Sequence, residues 1–87
     1  MFDDIGNRIA KVLNKVQADK SIEIGLETSL FVPGVLDSFG MIEFLTALEG
    51  EFNIKISNED LIPENFRTIK VTAQLIKEYL AGKKVSG

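Results

Sequence analysis

The chain has 87 residues, 45% of them apolar and 26% charged, a balance that fits one small globular domain with no room for a second core. Its net charge is −3, and it has neither cysteine nor histidine. Those two absences exclude a disulfide framework, a Cys/His zinc site, and Cys–His or Ser–His nucleophilic catalysis within the chain.

The first segment places apolar residues at 2, 5, 9, 12, 13 and 16, the spacing of one helical face. Asp3 and Asp4 fall at its start and Lys15 near its end, as the helix dipole favours, so a helix is predicted over about 3–18. Beyond it, Ile22, Ile24 and Leu26 alternate with Glu23, Gly25 and Glu27 in a strand-like pattern. No second strand offers a partner, so a long loop that tucks apolar side chains into a helical core is expected, with Pro33-Gly34 near its end.

Asp37 then offers an N-cap for a helix over about 38–52. On that helix Phe39, Met41, Ile42, Phe44, Leu45, Leu48 and Phe52 cover an arc of roughly 220°, twice the stripe a surface helix needs. It must be covered on two sides or line a groove. Asn53 ends it, and Ser57-Asn58-Glu59-Asp60 precedes a short helical turn that Pro63 limits or follows with another. Thr68 caps a last helix, about 69–81, with Thr72, Leu75, Ile76, Tyr79 and Leu80 inward, and Gly82 stops it. The expected fold is all-α: a small antiparallel bundle of three main helices plus one short helix, with a long first loop, as a single domain over 1–87. Its core is placed at about 2–82, with 83–87 as a flexible tail.

Charge is segregated along this plan. Residues 23–64 carry nine acids against Lys55 alone, a net of −8, while both flanks are basic. Such a block repels phosphate backbones, which argues against nucleic acid, and it suits either a basic protein partner or a solvated face. No stretch approaches the roughly 18 uninterrupted apolar residues of a membrane span. The opening Met1-Phe2-Asp3-Asp4 lacks the basic and apolar run of a secretion signal, so a soluble, cytoplasmic protein is expected.

Ser38 is the residue with chemical potential. It starts the most apolar helix, where a phosphate ester on its hydroxyl would face free backbone N–H groups and the positive end of the dipole. Equally, Ser38 or Asp37 could serve as a simple cap.

The run from Leu30 through Pro33-Gly34-Val35-Leu36-Asp37-Ser38-Phe39-Gly40-Met41-Ile42-Glu43-Phe44-Leu45 resembles the attachment region of the acyl carrier and peptidyl carrier protein family. So do its continuation Leu48-Glu49-Gly50-Glu51-Phe52-Asn53-Ile54-Lys55-Ile56 and the segment Glu59-Asp60-Leu61-Ile62-Pro63-Glu64-Asn65-Phe66. The resemblance implies that a phosphopantetheinyl transferase moves 4′-phosphopantetheine from coenzyme A onto Ser38, with Asp37 taking part in its recognition. It also implies a protein that is not itself an enzyme and holds no metal. Such a carrier bears acyl or aminoacyl groups as thioesters and presents them to a loading ligase and to downstream acyl-using enzymes with basic docking patches. On that reading Phe39, Met41, Glu43, Glu49 and Glu51 serve partner docking, while Ile42, Leu45, Ile62, Leu75 and Ile76 form an acyl cleft. Glu49, inside the apolar arc, is also expected to find a partner within the protein. Fatty-acid carriers usually have Leu and then an acid after the serine, and here the pair is Phe39-Gly40. The chain therefore looks closer to D-alanyl carriers and other stand-alone carriers, which are usually monomers, than to housekeeping fatty-acid carriers. The competing reading is an unmodified helical interaction module with an acidic docking face.

Overall fold

The computed structural model describes residues 3–83, which form three α-helices and two 3₁₀ turns and contain no strand. Helix α1 spans Asp4–Val16. Asp3 stands just outside it as the N-cap, its carboxylate accepting the Gly6 N–H at 2.7 Å. A hydrogen bond from the Lys77 ammonium, and then the Gly6 N–H, hold the Asp3 carboxyl below the usual carboxylate range. The helix stops two residues short of the predicted end because Gln17 turns into extended backbone. The buried Gln17 side chain donates to the carbonyls of Asp19 and Ile22 at 2.8 and 3.2 Å, which fixes the start of the following loop.

That loop behaves as its apolar residues require. Ile22, Ile24 and Leu26 pack half-buried against the core, and Leu30, Val35 and Leu36 are buried in it. The backbone of Leu30 donates to the Arg67 carbonyl at 2.8 Å and that of Lys70 to Leu26 at 3.0 Å, tying the loop to the last helix. Gly34 has φ +90°, and a Cβ there would lie 2.8 Å from Ile22 Cδ1, so only glycine fits this turn without displacing the core.

Helix α2 runs over Ser38–Phe52, as predicted, and ends on Asn53 in the left-handed conformation, which asparagine tolerates well. Phe44, Leu48 and Phe52 enter the core, Met41 and Leu45 are half-buried, and Phe39 and Ile42 are exposed. The wide apolar arc is thus divided among three environments. Gly50 sits on the exposed face, and a Cβ there would meet nothing within 4 Å. Gly50→Ala is therefore expected to stabilise the protein by about 0.5–1 kcal/mol, the ordinary helix-propensity gain, measured as a raised urea midpoint.

After α2 come two 3₁₀ turns, Asn58–Asp60 and Pro63–Phe66, so that of the two alternatives at Pro63 the structure takes the further turn. Pro63, with no N–H to donate, opens the second rather than continuing the first. Helix α3, Ile69–Leu80, is capped by Thr68, whose hydroxyl accepts the Val71 N–H at 3.1 Å. Its inward face is Ile69, Thr72, Ala73, Leu75, Ile76 and Tyr79. Leu80, predicted inward, is exposed, since the inward stripe continues on Ile76 and Tyr79 and leaves the next position outside. Helix α1 packs against both α2 and α3, and α3 also packs on the second 3₁₀ turn. Of the tail assigned to 83–87, residues 84–87 lie outside the described residues.

Candidate functional site

The start of α2 is set by Asp37, not Ser38. Asp37 is in extended backbone, its Oδ1 accepts the Gly40 N–H at 2.6 Å, and its carbonyl accepts the Met41 N–H at 2.9 Å. Ser38 is left exposed at the first helical position, and its hydroxyl makes no hydrogen bond among the described residues. Capping therefore falls to Asp37 and leaves the neighbouring hydroxyl unengaged. Gly40 is buried, and a Cβ there would lie 3.1 Å from Asp37 Oδ1 and 3.9 Å from the Val16 carbonyl. The place where fatty-acid carriers usually hold an acid is here a contact point between the first turn of α2 and the end of α1.

Beside Ser38 lies a cavity of about 390 Å³. Phe31 and Leu36 of the loop form one side, Asp37, Ser38, Met41 and Leu45 of the α2 region a second, and Leu61, Ile62, Pro63 and Phe66 the third. Apart from Asp37 and Ser38 its lining is apolar. Of the predicted cleft residues, Leu45 and Ile62 line it. Ile42 does not: it stands on the exposed side of α2. Leu75 and Ile76 do not either, being buried in the core on α3, where the Pro63–Phe66 turn takes α3's place in the cavity wall. Met41, assigned to docking, lines the cavity. Phe31, Leu36, Leu61, Pro63 and Phe66 complete the wall and were not singled out. All five fall within the stretches around Ser38 and 59–66 that carry the family resemblance, and that is the signal that marks them.

The far wall is held by α3. The buried Tyr79 hydroxyl donates to Asp60 Oδ2 at 2.7 Å and accepts the Ser57 N–H at 2.9 Å. Asn65 Nδ2 donates to the Asp60 carbonyl at 2.9 Å, and the Thr72 hydroxyl donates to the Thr68 carbonyl at 2.8 Å. Both ends of the segment carrying Leu61 and Ile62 are thus fastened. Tyr79→Phe leaves the partly buried Ser57 N–H unmatched and is expected to cost about 1–3 kcal/mol in urea unfolding. A variant as stable as the wild type would show that water replaces the hydroxyl.

The acids of α2 are unequal. Glu49 Oε2 accepts the Ile56 N–H at 2.8 Å and fixes the exit from the helix, the internal partner expected for it. Glu51 pairs with Arg8 Nε at 2.8 Å, its carbonyl accepts from the same guanidinium, and that group lies 4.3 Å from the Phe52 ring centroid. Glu49 and Glu51, both expected to serve docking, thus each have a partner within the protein as well. Glu43 is exposed and makes no ion pair among the described residues.

Comparison with known proteins agrees with this geometry. Residues 3–76 match the phosphopantetheine attachment site family. The chain is 30% identical over 78 residues to aminoacyl carrier protein 2 of Bradyrhizobium diazoefficiens, an alignment covering 88% of each chain. It is 36% identical over 53 residues to the D-alanyl carrier protein of Bacillus licheniformis, covering 61% of this chain and 68% of that one. To the D-alanyl carrier protein of Streptococcus pyogenes serotype M5 it is 34% identical over 53 residues, covering 61% and 67%.

Proposed function

Because the chain belongs to the phosphopantetheine attachment site family, we propose that its covalent 4′-phosphopantetheine arm is carried on the Ser38 hydroxyl. The protein is an acyl or aminoacyl carrier, and the reading as an unmodified interaction module gives way to that membership. One observation supports the choice of residue above the rest: an exposed serine hydroxyl, without hydrogen bonds among the described residues, at the first position of α2 and on the wall of an apolar cavity.

The residues present fit such an arm. In the attachment step the Ser38 oxygen attacks the pantetheine-bearing phosphorus of coenzyme A. One P–O bond forms, the pyrophosphate P–O bond breaks, adenosine 3′,5′-bisphosphate leaves, and the hydroxyl proton passes to a base of the transferase. The Ser38 and Phe39 backbone N–H groups at the helix start favour a phosphodiester there. Asp37 holds that first turn through its cap to Gly40, so Ser38 is presented at a fixed angle. The arm supplies a thiol, which this chain lacks, to hold cargo as a thioester. Met41, Leu45 and Ile62 offer apolar surface against which the arm or a short acyl group rests.

We further propose cargo of the aminoacyl type, loaded by a dedicated adenylating ligase. Two observations support it: relatives bearing the names aminoacyl and D-alanyl carrier protein, and Gly40 in the place of an acid. The carrier works as a cytoplasmic monomer that presents cargo and catalyses nothing, in one domain spanning 1–87. No helix among the described residues is long and apolar enough to cross a membrane. The test is to incubate the protein with coenzyme A and a broad-specificity phosphopantetheinyl transferase and record the intact mass. A gain of one phosphopantetheine, mapped by peptide fragmentation to Ser38, is the expected result. A folded protein that gains nothing overturns the proposal.

A further inference from the structure

The chain has two methionines and no cysteine, and Met1 lies outside the described residues. Met41 therefore carries the one sulfur among the described residues. It follows Ser38 by three positions on α2, and both residues line the cavity of about 390 Å³. Met41 packs against the core yet is only half-buried, so small solutes reach it. The single tyrosine, by contrast, is buried with its hydroxyl engaged on Asp60. Around Met41 the wall consists of apolar side chains, Leu36, Leu45, Leu61 and Phe66 among them, and only Ser38 on it carries a side-chain donor.

We infer that Met41 is a reversible oxidation site, through which a peroxide switches the cavity beside Ser38 from apolar to polar. In the step, the thioether sulfur attacks one oxygen of hydrogen peroxide. The S–O bond forms, the O–O bond breaks, and the transferred oxygen gives its proton to the departing hydroxide, which leaves as water. Sulfur is oxidised by two electrons and the peroxide is reduced. A thioether packs as an apolar group, whereas the sulfoxide oxygen is polar and needs a donor. The wall offers it no side-chain donor but Ser38, so the sulfoxide has to draw water into the cavity or turn out of the wall. Either movement removes apolar surface that the arm or its cargo would use, a consequence that rests on the reading of Ser38 as the attachment residue. Methionine sulfoxide reductases return the thioether, which makes the change reversible.

The experiment uses the full chain without its arm, hydrogen peroxide as the oxidant, and the uncharged dye N-phenyl-1-naphthylamine as the cavity probe. Peptide fragmentation should find one added oxygen on Met41, formed at a rate within about tenfold of that for free methionine. Dye affinity should fall by about threefold or more on oxidation and return after treatment with methionine sulfoxide reductase. Met41→Leu, close to methionine in volume, should hold its own untreated dye affinity within about twofold after peroxide. Met41→Gln, a polar side chain of similar length, should bind the dye weakly without any peroxide. Helical circular dichroism retained by each form keeps the comparison to the cavity. A Met41 oxidised more than about a hundredfold slower than free methionine overturns the inference. So does an oxidised protein that binds the dye as before, or an untreated one that binds none. An equal loss in peroxide-treated Met41→Leu overturns it too, by assigning the effect to another residue. Arm uptake by the unoxidised chain, read by intact mass, tests Ser38 separately: a chain that takes no arm overturns that reading and leaves the oxidation site standing.

Discussion

Ser38→Ala is expected to abolish arm uptake completely while leaving the urea midpoint within the scatter of the wild type. The two halves of that result depend on different atoms. Uptake needs an oxygen nucleophile at this position, and alanine has none. Stability at the start of α2 depends instead on Asp37, whose carboxylate accepts the Gly40 N–H at 2.6 Å. The Ser38 hydroxyl makes no hydrogen bond among the described residues, and exposed substitutions of this kind usually stay within about 0.5 kcal/mol. Asp37→Ala should behave in the reverse sense, losing about 0.5–2 kcal/mol of stability with the cap while retaining the nucleophile. Intact mass and urea unfolding on the two variants separate the roles. A Ser38→Ala protein that still gains the arm would move the attachment site elsewhere.

Phe44→Ala should produce the largest loss of stability of any substitution on α2, about 3–5 kcal/mol, and it sits two residues from a substitution expected to do almost nothing. Phe44 is fully buried in the core shared by the three helices, so truncation removes its burial and leaves a cavity that close-packed neighbours fill only in part. For an 87-residue domain that is a large share of the whole stability, and the urea midpoint should fall by roughly 2 M or more. Ile42→Ala, on the exposed side, should change it by less than about 0.5 kcal/mol. Equal losses from the two would mean that α2 is rotated from the arrangement described here.

These two variants also mark where sequence reading reaches its limit. Helix α2 was legible to the residue because its limits are local: an acid that caps at Asp37 and an asparagine at Asn53 that takes the left-handed turn. Ser38 stood out for the same reason, since its neighbours along the chain define its place at the helix start. The division of the 220° arc was not legible. Phe44, Met41 and Ile42 are all simply apolar in sequence, and only the positions of α1, the first loop and the 57–66 segment decide which becomes core, cavity wall or open surface. Leu75 and Ile76 were assigned to the cleft on the same uncertain ground. The second 3₁₀ turn intervenes and leaves them in the core.

By itself the sequence determined an all-helical domain, its helix caps, the absence of any thiol or imidazole, and the place of Ser38 at a helix start. Each of these follows from residue types or from interactions within a few positions of the chain. Only the tertiary structure decided which charges and which apolar groups remain available. Glu51 meets Arg8 across 43 positions, and Tyr79 reaches back 22 positions to Ser57. A carboxylate engaged at that range looks identical in sequence to one free in solvent. The acidity that the composition places around Ser38 is therefore partly engaged within the fold, and exposed apolar residues, Phe39 and Ile42, stand beside the exposed acids Asp37 and Glu43.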